Sequence, residues 1–290
     1  MQIGFNILYS ASIVALIATG FALIFRTTRF FHFVHAIIFT AGAYLVFAFK
    51  GKIGLPMALA IPFGLAGAAI LGCLIDFLIY RPLRHKKASP LILLLVSLGL
   101  YVLLQNLVSM LFGDDTKVIR SGEIREGIHI LGAQLTSIQL TTIVTGLFLL
   151  CMTSLFLKKT KLGRSIRAVA SDPVLAELSG IGSNTIILTV MVIGSFLAGM
   201  AGILVALDVD MTPTMGMQPL MLAVVATIIG GTRNVWGIAL AALVLATAQQ
   251  CTAWKIGSQW QDMTAFIVLT VFLLFKPEGF FGKKPEKATV

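Results

Sequence analysis

Charged residues are scarce in this sequence. Asp, Glu, Lys and Arg together make up 12% of it, whereas 58% is hydrophobic and the mean hydropathy is +0.96. A soluble domain needs about 25% charged residues to cover its surface with groups that water solvates. The scarcity excludes a soluble globular protein and predicts an all-α polytopic membrane protein.

The sequence also lacks the motifs of an enzyme. It contains no GxxxxGK[ST] phosphate loop, no paired nucleophile and base, and no cluster of metal-ligating residues. Its three cysteines, Cys73, Cys151 and Cys251, lie in or beside apolar runs without metal-ligand spacing. The net charge of +10 fits cytoplasmic loops and lipid headgroups better than nucleic acid. We therefore expect no enzymatic activity, no metal site and no cofactor in this chain.

Apolar runs fill most of the sequence. A bilayer is crossed by about 20 apolar residues in a helix, and runs near that length cover residues 3–25, 30–49, 55–79, 90–112, 137–157, 184–207 and 261–275. A further run, 218–250, is broken in its middle by IIGGTRNVWG. The pattern predicts one transmembrane domain over residues 1–290, with about 7–9 crossings and one broken or re-entrant segment.

The basic residues predict the orientation. Most of the 22 Lys and Arg residues fall in loops on one side of this arrangement, and such loops are retained in the cytoplasm. The polar loop 113–136 is close to neutral and is expected outside, while the basic tail 276–290 is expected inside. The predicted topology has its N-terminus outside and its C-terminus inside.

Residues 158–183 form a long polar segment between two apolar runs. After several basic residues, Asp172 and Pro173 have the types expected at a helix N-cap and first helical position. Apolar residues then follow at helical spacing, at Val174, Leu175, Leu178 and Ile181, before Gly180 and Gly182 end the pattern. A helix of about two turns is unstable alone in water. It therefore needs to pack on the membrane, on its own bundle or on another protein.

Small residues recur at close-packing positions. Gly64, Ala68 and Gly72 are four residues apart, and Ser195, Gly199 and Gly202 lie within a later run. Such spacing lets neighbouring membrane helices approach closely. Near the end of the third run, Asp76 lies about one turn before Arg81, which favours a local ion pair or a contact with lipid headgroups.

Polar residues inside the apolar runs are the candidates for a solute pathway. Such residues face the interior of a bundle, where they mark a route or hydrogen-bond between helices. A helix broken at membrane depth lines a cavity or is buried in protein. The candidates are His32, His35, Tyr44, Gln105, Asn106, Thr232, Arg233 and Asn234.

Four segments carry a resemblance to a known family. They are YRPLR at 80–84, SPLILLLVSLGLYVLLQNLVSMLFG at 89–113, KLGRSIRAVASDPVLAELSGI at 161–181 and KPEGFFG at 276–282. The chain resembles the LivH-type permeases, which are membrane subunits of ABC importers for branched-chain amino acids, and their urea-importing relatives. The resemblance implies that it forms half of a translocation pathway in a bacterial cytoplasmic (inner) membrane. It also implies a second LivM-like permease, two cytoplasmic ATPases that bind ATP and Mg, and an extracytoplasmic binding protein.

The resemblance also implies that 158–183 is the segment that couples the permease to its ATPase. The residues placed there are Arg164, Arg167, Ala168, Asp172, Pro173, Leu175, Ala176, Gly180 and Ile181. One departure lies in the second run, where the family commonly has INFAHGELLMLGAY and this chain has FHFVHAIIFTAGAY. The solute is therefore left open between branched-chain or other neutral amino acids and urea or a small amide. An ion-coupled secondary transporter would share the hydropathy but does not need the cytoplasmic helix.

Overall fold

The computed structural model describes residues 1–120, 127–130, 133–276 and 279–280. These residues form twelve α-helices and one hairpin of short strands. The helices of the first half are α1 (Gln2–Thr28), α2 (Val34–Gly51), α3 (Met57–Ile75), α4 (Arg81–His85) and α5 (Pro90–Phe112). After β1 (Ile128–Ile130) and β2 (Ala133–Leu135) come α6 (Ser137–Lys159), α7 (Lys161–Ser171), α8 (Pro173–Leu178), α9 (Ser183–Asp208), α10 (Met217–Gly230), α11 (Val235–Lys255) and α12 (Gln261–Phe275).

The predicted number of crossings is confirmed. Within the described residues, eight helical stretches are long and apolar enough to cross a membrane. One of them joins α3 to α4 through a π-helical turn, Asp76–Tyr80. The predicted broken segment is the pair α10 and α11, which a four-residue turn at 231–234 separates. At 1.5 Å per residue, the 14 residues of α10 span about 21 Å, which is short of a bilayer core.

The second apolar run was predicted to be helical from residue 30, and that boundary is wrong. Arg29 adopts a left-handed conformation with φ of 60° and ends α1, and α2 begins at Val34. Phe30 and His32 are buried in the intervening stretch. The Ser97 hydroxyl of α5 accepts a hydrogen bond from the Val34 N–H at 3.2 Å. The backbone can leave the helix here because it is enclosed in protein that supplies hydrogen-bond partners.

A second non-helical stretch, 209–216, leads from α9 to α10. Its first residues pair with the loop after α5, since Lys117 and Met211 exchange two backbone hydrogen bonds of 2.9 Å. Its last residue, Gly216, packs directly on the Ala36 carbonyl of α2. The starts of α2 and α10 therefore meet inside the bundle, which the sequence pattern did not predict.

The predicted small-residue contacts are confirmed. Gly72 packs on Ser195, and Ala68 packs on Gly199. Gly199 also contacts Gly42, on which an added Cβ would lie 2.7 Å from the Gly199 carbonyl oxygen. Small residues thus bring the backbones of α2, α3 and α9 together at the centre of the bundle.

Two ends of the bundle can be named from its residues. The basic end is the end at which α1 terminates, near Arg26 and Arg29. Helices α7 and α8 also lie there, since Arg29 Nη2 donates a hydrogen bond to the Ala170 carbonyl of α7 at 2.9 Å. The loop end carries the contact of Arg120 Nη2 with the Asp208 carbonyl, also 2.9 Å.

A buried ion pair lies in the α3–α4 helix. Asp76 is fully buried and accepts hydrogen bonds from Arg84 at 2.6 and 3.1 Å. The sequence predicted a local ion pair or a headgroup contact for Asp76; the ion pair is present, but its partner is Arg84 and not Arg81. The π-helical turn between Asp76 and Tyr80 changes the helical register, so that Arg84, eight residues on, reaches the carboxylate.

Replacement of Gly42 by Leu is expected to destabilise the chain by about 1–3 kcal/mol or more, because the new side chain meets the α9 backbone. The measurement is the thermal unfolding midpoint of the detergent-purified chain. Gly4→Leu is the matched control, since a Cβ at Gly4 meets nothing within 4 Å. Equal midpoints for the two variants would contradict the close contact.

Asp76→Ala is expected to destabilise the chain by about 3–5 kcal/mol, because it leaves the guanidinium of Arg84 without its buried partner. The double variant Asp76→Leu with Arg84→Met removes both charges and is expected to recover most of that loss. Thermal unfolding of both variants measures the difference. A double variant as unstable as Asp76→Ala would show that the uncompensated charge is not the cause.

Candidate functional site

The predicted coupling segment, 158–183, lies at the basic end. Its two helices, α7 and α8, meet at Asp172, whose carboxylate accepts hydrogen bonds from Val174 N–H at 2.9 Å and Leu175 N–H at 3.0 Å. Pro173 occupies the first helical position, and Gly180 has the φ of +80° of a helix-terminating glycine. The cap, the proline and the stop that the sequence predicted are all present.

The segment is fixed firmly to the membrane helices. Gly163 packs on the last carbonyls of α6, those of Phe156 and Leu157, and a Cβ there would collide with both. Ile166 and Val169 of α7 are buried against the bundle. At the other end, the Ser183 hydroxyl donates to the Pro173 carbonyl at 3.2 Å and ties α8 to the start of α9. A force applied to α8 therefore reaches α9 directly.

The outer side of α8 is apolar and uncovered in the described chain. Val174, Leu175 and Leu178 are 67%, 61% and 81% exposed, while Ala176 faces inward and is buried. Among the other predicted coupling residues, Arg164, Asp172, Pro173 and Gly180 are exposed, and Arg167, Ala168 and Ile181 are half-buried. The segment thus presents apolar side chains beside charged ones, which is the composition of a protein-binding surface.

Four arginines lie near one another at the basic end, and one of them, Arg167, belongs to the segment itself. Arg26 lies within electrostatic range of Arg29, Arg167 and Arg233. They come from the end of α1, the stretch after it, α7 and the turn between α10 and α11. Arg26 and Arg29 were not among the predicted site residues, although the sequence FRTTRFF places two arginines between apolar runs. The cluster makes this end strongly positive.

The predicted pathway residues fall into separate places. His32 and His35 are buried together, with ring centroids 6.1 Å apart. Nδ1 of His32 lies 3.2 Å from the Tyr80 hydroxyl, and Nε2 of His35 lies 3.2 Å from the Ile17 carbonyl. The His35 contact joins α2 to α1, and the His32 contact joins the stretch before α2 to the π-helical turn. The histidine pair therefore sits inside this chain's own bundle.

The remaining pathway candidates lie elsewhere. Tyr44 is buried beside Phe112, with ring centroids 5.1 Å apart, in an apolar cluster near the loop end. Gln105 and Asn106 lie on α5, where Asn106 is exposed. Thr232, Arg233 and Asn234 form the turn at the basic end, and the Asn234 side chain accepts the Trp236 N–H at 3.2 Å. The structure therefore does not bring the eight candidates together within one subunit.

Comparison with known proteins identifies the family. Residues 3–275 match the family described as branched-chain amino acid transport system / permease component. Two similar relatives are the high-affinity branched-chain amino acid transport system permease proteins LivH of Salmonella typhimurium and BraD of Pseudomonas aeruginosa. LivH is 30% identical over 99% of this chain and 96% of its own length, and BraD is 29% identical over 97% and 95%.

The fold is also found among solved structures. The complex of PsaBC from Streptococcus pneumoniae with a Fab includes a chain that superposes with a TM-score of 0.51 at 15% sequence identity. The superposition covers 96% of this chain and 93% of the other. This likeness supports the arrangement of helices. With the sequence match over nearly its whole length, the chain belongs to the permease component family of branched-chain amino acid transport systems.

Proposed function

We propose that this chain is the permease subunit of an ABC importer that carries branched-chain or other neutral amino acids across the bacterial inner membrane. The observation that carries the proposal is the exposed apolar side of α8, held rigidly at the basic end of a membrane bundle. Family membership and the names of LivH and BraD support the solute class. ATP and Mg are bound by separate ATPase subunits, and this chain itself catalyses no reaction.

Two ATPases bind at the basic end, which the positive-inside rule assigns to the cytoplasm. The N-terminus is then outside and the described end of α12 inside. Leu175 and Leu178 provide the apolar contact, and the capped start of α8 at Asp172 keeps that contact in place. The arginine cluster adds attraction for acidic residues of the ATPase.

Closure of the ATPase dimer moves α8, and the motion passes into the bundle. The Ser183 bond links α8 to α9, and α9 packs tightly on α1, α2 and α3. Because interdigitated helices are close-packed, they move as bodies and do not deform locally. The pathway opens alternately to the two sides of the membrane, between this chain and a second, LivM-like permease.

An extracytoplasmic binding protein delivers the solute at the loop end. The described part of the predicted outer loop is anchored there by Lys117 and by Lys50, whose Nζ donates to the Ile119 carbonyl at 2.6 Å. Part of that loop, and most of the basic tail 276–290, lie outside the described residues.

The double variant Leu175→Glu with Leu178→Glu is expected to abolish co-purification of the ATPases and to reduce uptake at least tenfold. Two buried charges without partners would oppose binding, whereas the fold is retained because both side chains are already exposed. Pull-down of the tagged permease, with ATPase assay of the eluate, measures the effect.

Ile53→Glu is the matched control for this variant. Ile53 is 63% exposed and lies between α2 and α3, at the loop end. It is expected to leave ATPase binding unchanged. Normal ATPase recovery with the Leu175 and Leu178 variant, in membranes that contain normal amounts of the chain, would contradict the coupling role of α8.

Uptake of labelled leucine by vesicles that contain the complete importer is expected to require ATP and the binding protein, and to persist when a protonophore collapses the ion gradients. Unlabelled isoleucine and valine should compete, and urea should not. Competition by urea or acetamide would move the assignment to the urea-type relatives. Uptake that follows an ion gradient without ATP would identify a secondary transporter.

A further inference from the structure

The helix α12 is weakly packed along its length. Within the described chain only Ala265 of α12 is buried, and buried residues make up 6% of the stretch Ser258–Phe275, against 72% for the apolar part of α1. Membrane helices associate through close packing and hydrogen bonds, because lipid gives no hydrophobic driving force. The polar contacts at the two ends of α12 therefore matter for its position.

The first of these contacts joins the starts of α10 and α12. The side-chain amide of Gln218, the second residue of α10, donates to the two carboxylate oxygens of Asp262, the second residue of α12, at 2.9 and 3.0 Å. The helices have 14 and 15 residues, so each is about 22 Å long. They therefore start together and have nearly equal lengths.

The second contact joins the ends of the same two helices. The Phe280 N–H, in the segment that follows α12, donates to the Ile229 carbonyl at 2.8 Å. Ile229 is the last residue but one of α10, where carbonyl groups have no N–H partner within their own helix. The segment after α12 thus supplies a donor that caps α10.

Two glycines let the backbones meet at this contact. Gly231 ends α10 with a φ of +78°, and Gly279 is buried against it with a φ of +82°. A Cβ built on Gly279 would lie 3.1 Å from the Gly231 nitrogen and 3.2 Å from the Ile228 carbonyl oxygen. A larger residue at position 279 would be strained by its left-handed backbone and pressed against the end of α10.

The same segment is attached to α12. The Gly279 N–H donates to the Lys276 carbonyl at 3.2 Å, just beyond the end of the helix. The Phe280 ring packs edge-on against the Phe272 ring of α12, with centroids 4.9 Å apart, and lies against the apolar core. Phe280 therefore contacts α10 through its backbone and α12 through its side chain.

The turn between α10 and α11 lies directly beside this contact. It begins at Gly231, which packs on Gly279, and it ends at Asn234, whose side chain caps α11 by accepting the Trp236 N–H. The turn is therefore fixed at both ends. Arg233, which lies between them, is exposed at the basic end.

We propose that Gly279 and Phe280 form a clip that holds α12 on α10, so that these two helices and the turn 231–234 move as one body during the transport cycle. The clip closes at the basic end, and Gln218 with Asp262 holds the opposite end. Transport as the setting of this motion rests on the proposed function, whereas the clip itself belongs to the subunit alone. It gives a physical role to the segment KPEGFFG.

The test measures distances within the purified subunit by pulsed electron paramagnetic resonance. The three native cysteines are replaced by Ser, and nitroxide labels are attached to cysteines introduced at exposed positions. Leu8→Cys with Leu274→Cys relates the start of α1 to the end of α12. Leu8→Cys with Leu240→Cys relates it to α11, which the clip does not hold.

Gly279→Val is expected to broaden the distance distribution between α1 and α12 by about twofold, because α12 loses its attachment, and to leave that between α1 and α11 unchanged. Gly54→Val is the matched control, since Gly54 has a φ of +77° but a Cβ there meets nothing within 4 Å. It reproduces the strain of a left-handed residue without the collision, so neither distribution should change.

A second measurement is uptake by the complete importer. Gly279→Val and the milder Phe280→Ala are expected to reduce uptake by about fivefold, because α12 no longer moves with α10. Phe280→Leu, which restores a large apolar side chain, should recover part of the uptake. The ATPases should still co-purify with all three variants, which separates loss of the clip from loss of the coupling surface on α8.

Two outcomes would overturn the clip. One is an unchanged distribution between α1 and α12 with both Gly279→Val and Phe280→Ala. The other is normal uptake with both variants, in membranes that contain normal amounts of the chain. Neither outcome affects the proposed function, which uptake without ATP by the unmodified importer would contradict.

Discussion

The contact between α2 and α9 supports the rest of the structure. At Gly42 and Gly199 the two backbones approach so closely that no side chain fits between them. Lipid gives no hydrophobic driving force for helices to associate, so the association depends on close packing and on hydrogen bonds between helices. Where α2 begins, the Val34 N–H donates such a hydrogen bond to the Ser97 hydroxyl of α5. Helix α2 can therefore begin inside the bundle, because its first N–H group has a hydrogen-bond partner there.

That arrangement links the centre of the membrane to the basic end. α9 continues from α8 across a short connection, and the same helix carries Gly199 and Gly202 at the contact with α2. In turn, α2 packs on Gly216 just before the start of α10. Helix α8 is thus connected to the centre of the bundle through α9, whose backbone packs closely on that of α2.

Much of this structure could be predicted from local sequence. Hydropathy predicted the membrane spans, and Asp172 and Pro173 predicted where α8 begins. The spacing of Gly64, Ala68 and Gly72 predicted which side of α3 packs against other helices. The boundary of α2 was missed because the residues after Arg29 are as apolar as a span, and burial alone does not reveal the conformation of the backbone. The pairing of Asp76 with Arg84 was missed because a π-helical turn shifts the expected spacing. The pathway candidates were grouped by polarity, but polarity does not show which neighbour a side chain meets, as His35 and Asn106 demonstrate.

The exposed side of α8 has a consequence for the cell. Val174, Leu175 and Leu178 are uncovered in the described chain, and grouped exposed apolar side chains favour aggregation and recognition by chaperones and proteases. A protein surface that covers the exposed side of α8 is therefore expected to protect the chain from aggregation as well as to bind it.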